Sequence, residues 1–146
     1  MNQDKIVITG VGALAPNGNN VKQFWSNLTE GISGIAPITC FNTDNHKVKI
    51  AGELKNVSAD PVIDSKEIRK LDPFSIYAIL ATHEAIEMSG LNYQSFDFDR
   101  AGVVIGTGVG GIQTLEDQHR TIENRGARRV SPQFVPKMIS NIAGGH

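Results

Sequence analysis

Cysteine is nearly absent: Cys40 is the one thiol in 146 residues. This excludes an internal disulfide framework and suits a reducing compartment, so a cytoplasmic chain is expected. No apolar run approaches the roughly 20 residues that a membrane-spanning helix needs. The opening Met1-Asn2-Gln3-Asp4-Lys5 lacks the basic and apolar regions of a signal peptide. No membrane partner is expected. Excess charge is missing too: a net charge of −1 supplies no field to gather nucleic acid, so an electrostatic partner must meet a local patch. His46, His83, His119 and His146 fit no metal-ligand spacing, and His83 and His119 read as solvated helix faces. Neither a metal nor any other cofactor is expected.

Hydrophobic residues at 40% and charged residues at 20% mark a globular chain, long enough to bury one domain's core. Residues 5–14 are apolar and β-branched and predict a buried strand, broken by a turn at Ala15-Pro16-Asn17-Gly18. Asn19 or Asn20 can cap a helix through about Thr29, with Val21, Phe24, Trp25 and Leu28 at helical spacing and Gly31 as terminator. Residues 32–45 read as irregular, and 48–54 as a second extended piece. Asp64 caps a short helix through Lys70. Asp72-Pro73 opens a longer helix that ends near Ser89-Gly90, with Pro just inside and Gly just past it. Its alanines Ala78, Ala81 and Ala85 predict close packing against a neighbour. Residues 101–106 predict another buried strand, followed by a helix from the Gly108–Gly111 region to about Asn124. A basic turn, a Ser131-Pro132 loop and a helical start over 136–142 complete the chain. Strands alternating with helices predict an α/β fold.

Two segments match a dinucleotide-binding fingerprint by letter: Gly10-x-Gly12-x-x-Ala15 and Gly106-x-Gly108-x-x-Gly111. Such glycines let a backbone approach a pyrophosphate at a helix N-terminus. In the first, Pro16-Asn17-Gly18 delays the helix past the glycines. In the second, the basic Arg125–Pro132 region stands where a strand ending in an acidic residue is needed. Tight turns and close packing are the competing explanation.

Ile6-Val7-Ile8-Thr9-Gly10-Val11-Gly12, Phe24-Trp25-x-x-Leu28-x-x-Gly31-x-Ser33-Gly34, Arg69-Lys70-Leu71-Asp72, Val104-Ile105-Gly106-Thr107-Gly108-Val109-Gly110-Gly111 and Ser131-Pro132-x-Phe134-Val135-Pro136 occur in that order. Together they resemble the N-terminal part of β-ketoacyl-acyl carrier protein synthases, the elongating synthase II type above all. The resemblance implies a thiolase-like fold, of which residues 1–146 form an incomplete N-terminal half, a mixed sheet flanked by helices. It also implies a homodimer. The implied reaction is decarboxylative condensation in fatty acid elongation: an acyl group moves from acyl carrier protein to a cysteine thiol, and malonyl-carrier protein loses carbon dioxide and attacks the thioester.

In the family, the segment matched by Asn141 to His146 comes shortly before the nucleophilic cysteine. Neither that cysteine nor the catalytic histidines and lysine have counterparts here, so no catalytic residue is assigned and the chain alone is expected to be inactive. Cys40 lies in a loop with no helix N-terminus after it and does not map onto the nucleophile.

Lys66, Arg69 and Lys70 stand at i, i+3 and i+4, on one helix face. Spacing alone favours a solvated basic face, whereas the resemblance implies docking of the acidic helix of acyl carrier protein. Arg128 and Arg129 are a second basic pair that a surface loop explains equally well. Val109 matches a family position lining the acyl pocket near the dimer interface, and Phe134 is its neighbour on the same pattern; core packing is the alternative for both. Beside the condensing enzyme stand two other readings: a non-catalytic module that binds a carrier protein or a complementary half, and the dinucleotide-binding domain.

Overall fold

The computed structural model describes residues 5–92 and 94–146. Contacts group it into two compact units, one from the chain up to Ser58 with Ala81–Leu91, the other from Ala59–Leu80 and from Asn92 onward. Among the described residues no helix is long and apolar enough to cross a membrane.

In the first unit, α1 spans Val21–Thr29 and begins as the sequence predicts: the Asn20 side chain accepts from the Gln23 N–H. It ends in a Schellman arrangement. The Ile32 N–H donates to the Asn27 carbonyl at 2.8 Å and the Gly31 N–H to the Leu28 carbonyl at 3.2 Å. Gly31 carries the positive φ, 71°, that this turn requires. Ala15 and Gly18 exchange backbone hydrogen bonds of 2.8 and 2.9 Å around Pro16-Asn17, the expected turn. Strands β1 (Ile35–Pro37) and β2 (Ile50–Gly52) pair antiparallel, Ala36 opposite Ala51. β2 lies inside the predicted extended piece. β1 falls in the stretch read as irregular, because three residues ending in proline carry almost no strand signal.

Helix α3 (Pro73–Ser89) has the predicted bounds, and its C-terminal half belongs to the first unit. A Cβ placed on Gly12 would lie 1.8 Å from the Ala81 carbonyl oxygen, and one on Gly10 would lie 1.9 Å from that of Ala85. The close packing expected of the alanines is therefore met by glycines on the facing segment. Glu84 holds this assembly: Oε2 accepts from the Ala13 N–H at 2.9 Å, and Oε1 from the Val21 N–H, at the start of α1, at 2.8 Å.

The second unit contains α2 (Ser65–Ile68), the N-terminal half of α3, α4 (Ile112–Arg125) and α5 (Phe134–Met138). Its buried residues include Ile63, Leu71 and Ala143 with the polar Asp72, Ser75 and Thr114. α2 is shorter than expected. The Lys70 and Leu71 N–H groups turn back to the Glu67 and Ile68 carbonyls, and Pro73 bars the residue before it from continuing a helix. α5 starts earlier than predicted and stops at Met138, whose carbonyl accepts from the Gly111 N–H at 2.9 Å. The chain then continues as a 3-10 turn over Ser140–Gly144.

The two predicted buried strands are corrected. Residues 5–14 and 101–106 form no ladder among the described residues, and Ile6 and Val104 are 101% and 98% exposed. A strand needs a neighbour's N–H and C=O groups as well as β-branched side chains. No described segment offers them to these two.

Candidate functional site

The basic surface is built where α2 gives way to α3. Asp64 starts α2 by accepting from the Lys66 N–H at 2.7 Å. Lys66 lies in the helix, Arg69 is its C-cap and Lys70 follows in the turn; all three are exposed. Lys70 pairs with Glu67 at 2.6 Å. Among the described residues, Lys66 and Arg69 have no acidic partner. Two exposed cations three positions apart and unneutralised are suited to a partner that brings its own carboxylates.

Within the same unit, the start of α4 is set by a residue that spacing could not single out. Asp72 is 2% exposed. One carboxylate oxygen faces the Phe74 N–H at 3.3 Å, in the first turn of α3. The other accepts from the Thr114 N–H at 2.9 Å and the Thr114 hydroxyl at 2.6 Å. Gly111, the residue before α4, supplies no side-chain cap, so Asp72 satisfies two helix beginnings at once. Asp72-Pro73 marks the α3 start in the sequence, whereas nothing local announces the reach to Thr114.

α4 and α5 frame an open, mainly apolar cavity of about 520 Å³ lined by Val109, Ile112, Leu115, Met138 and Ile139, among others. Val109 is thus on a cavity wall, 66% exposed, instead of in packed core. Phe134 is half-buried at the start of α5 and does not line this cavity. The turn that presents Val109 is fixed by Gly110, at φ 77°. A Cβ there would meet the Met138 carbonyl at 2.6 Å.

The same contacts answer the nucleotide alternative. Gly10 and Gly12 are filled by the α3 backbone, and the N-terminus of α4 already holds the Asp72 carboxylate. A pyrophosphate would have to displace a buried anion.

Cys40 is exposed. Its thiol is pushed above its ordinary pKa, chiefly by hydrogen bonding to Glu53, with desolvation and the carboxylate's charge adding to it. Glu53 in turn is lowered to about 2 by the Cys40 side chain first, then by the Thr39 side chain and backbone. Thr39 donates to it from N at 2.9 Å and from Oγ1 at 2.7 Å. A thiol held protonated is the opposite of an activated nucleophile. His83 and His119 face Glu87 and Glu123 at 3.5 and 3.4 Å on exposed helix surfaces.

Comparison with known proteins agrees with the motif order. A family model described as the N-terminal domain of beta-ketoacyl synthase matches residues 3–146. The 3-oxoacyl-[acyl-carrier-protein] synthase 2 of Staphylococcus aureus (strain COL) is 47% identical over 99% of this chain and 35% of its own length. The enzyme of the same name from Synechocystis is 38% identical over the same shares, 99% and 35%. The chain thus spans about 35% of the length of these curated relatives. Among solved structures, a type II PKS ketosynthase in complex with its acyl-carrier protein superposes with a TM-score of 0.76 at 27% identity. That match covers 95% of this chain and 36% of the other. The ishigamide ketosynthase/chain length factor gives 0.78 at 22% identity over 94% and 34%, a likeness of fold. The fold is the thiolase-like α/β fold of ketosynthases, represented by a part of it. The chain belongs to the β-ketoacyl synthase family, whose N-terminal domain its residues 3–146 match.

Proposed function

We propose that residues 1–146 act as the N-terminal part of a 3-oxoacyl-[acyl-carrier-protein] synthase of the elongating type, in fatty acid biosynthesis. In this reading Lys66, Arg69 and Lys70 receive the acidic helix of acyl carrier protein. Val109 and Phe134 belong to the acyl-chain side of the molecule, near a homodimer interface. Acyl and malonyl thioesters are the substrates, and the setting is the cytoplasm. The observation that carries the reading is the 47% identity to a 3-oxoacyl-[acyl-carrier-protein] synthase 2 along the whole chain. The unneutralised Lys66 and Arg69 support the docking role. So does the existence of a ketosynthase relative solved with its carrier protein.

No group within these residues is assigned to the carbon–carbon bond-forming step: Cys40 is exposed, and its thiol is pushed up beside Glu53. The 146 residues by themselves should therefore release no carbon dioxide from malonyl-carrier protein. The docking role is tested by the affinity for acyl carrier protein of a Lys66→Glu, Arg69→Glu double variant. A loss of about tenfold or more is expected, since each exposed ion pair is worth up to about 1 kcal/mol and reversal adds repulsion. Unchanged affinity in a folded variant rejects the docking assignment.

A further inference from the structure

The basic surface holds a further cation, supplied from a distant part of the sequence. Lys137 on α5 donates from Nζ to the Arg69 carbonyl at 3.0 Å, across 68 positions. The contact is exposed, while the Lys137 stem is half-buried. This bond fixes the ammonium at the end of α2, beside Arg69 and Lys70. No carboxylate among the described residues pairs with it. Asp72 is buried and committed to Thr114.

We propose that Lys137 is a docking residue for an acidic carrier protein, joining Lys66, Arg69 and Lys70 in one composite surface; this rests on the reading of those three as the docking site. Two physical points favour docking over a purely structural cap. An exposed carbonyl can be satisfied by water, so capping alone does not require a lysine. An ammonium has three N–H donors, and the Arg69 carbonyl takes one. The remaining donors belong to a cation already held in place, so a partner's carboxylate meets it with less loss of side-chain freedom than at an untethered lysine. Position adds a third point. Met138, the next residue, lines the cavity shared with Val109. A carrier seated on Lys137 would stand one residue from the wall of the cavity that Val109 also lines.

The test measures the dissociation constant for acyl carrier protein over a range of salt concentrations, with the protein produced from its native reading frame. Lys137→Met, Lys137→Arg and Arg69→Glu are compared, with melting curves for each. Lys137→Met is expected to weaken binding about three- to fivefold, the size of one exposed ion pair, and to flatten the salt dependence. Lys137→Arg, which keeps the charge, should restore both. A structural role alone would lower the melting temperature and leave the salt dependence of binding intact. If Arg69→Glu weakens binding while a folded Lys137→Met does not, the inference is overturned and the α2 reading stands. If Arg69→Glu leaves binding unchanged, both fall. Should Lys137→Met fail to fold, Lys137→Gln takes its place, and the same two comparisons decide.

Discussion

Asp72 and Thr114, 42 positions apart, are joined by two hydrogen bonds to a single carboxylate oxygen, 2.9 Å from the threonine N–H and 2.6 Å from its hydroxyl. Both residues are buried. Asp72→Ala is expected to destabilise the protein by about 3 kcal/mol, combining a lost cap with buried, charge-assisted bonds. Thr114→Val removes only the hydroxyl bond and should cost about 1–2 kcal/mol. Because one oxygen serves both, the double variant should fall well short of the sum. Urea unfolding of the four proteins checks this, and strict additivity would mean that the two side chains do not act together.

Gly12 offers a steric test. With the Ala81 carbonyl 1.8 Å from any added Cβ, Gly12→Ala must push the Val11–Ala13 backbone off α3. A cost of about 3 kcal/mol or more is expected, at the upper end of overpacking effects. The Ala13 N–H should also lose its bond to Glu84. Amide exchange at Ala13 reports this directly: protection should drop in the variant.

Glu53 sets an acid limit on the hairpin. Its folded pKa, about 2, lies below the value of about 4.3 for a free glutamate. The folded state therefore binds fewer protons, and the stabilisation is fully present above about pH 4.3 and is lost as pH falls toward 2. Proton titration followed by NMR should give a Glu53 midpoint near 2, accompanied by shifts at Thr39 and Cys40. The coupled thiol moves the other way: Glu53→Ala should speed alkylation of Cys40 at pH 8, because the group that holds its proton is gone.

Ser75 is fully buried, and its hydroxyl has no hydrogen-bond partner among the described residues. An orphaned hydroxyl is a desolvation cost of about 1–3 kcal/mol with nothing to offset it. Ser75→Ala should thus leave the melting temperature unchanged or raise it by a few degrees. A clear fall would show that the hydroxyl has a partner the structure does not contain.

What could be read along the chain was what local chemistry decides. Asn20, Gly31, Asp64 and the Asp72-Pro73 step act within a few residues of themselves, and the helix limits they announce are present. Motif order was enough to identify the family. What eluded the sequence depends on distant partners. Residues 5–14 and 101–106 have strand composition without a described neighbour to form a ladder. α5 stops at Met138 because that carbonyl turns to Gly111. Of the proposed binding residues, Lys66, Arg69 and Lys70 were visible by spacing. Lys137 was not, since only the folded chain brings its ammonium to Arg69.

The bare side chains of Ile6, Ile8 and Val104 have a practical corollary. Branched aliphatic groups standing largely in water attract one another and any greasy surface nearby. A solution of these 146 residues should light up a hydrophobic dye and grow turbid as it is concentrated or warmed.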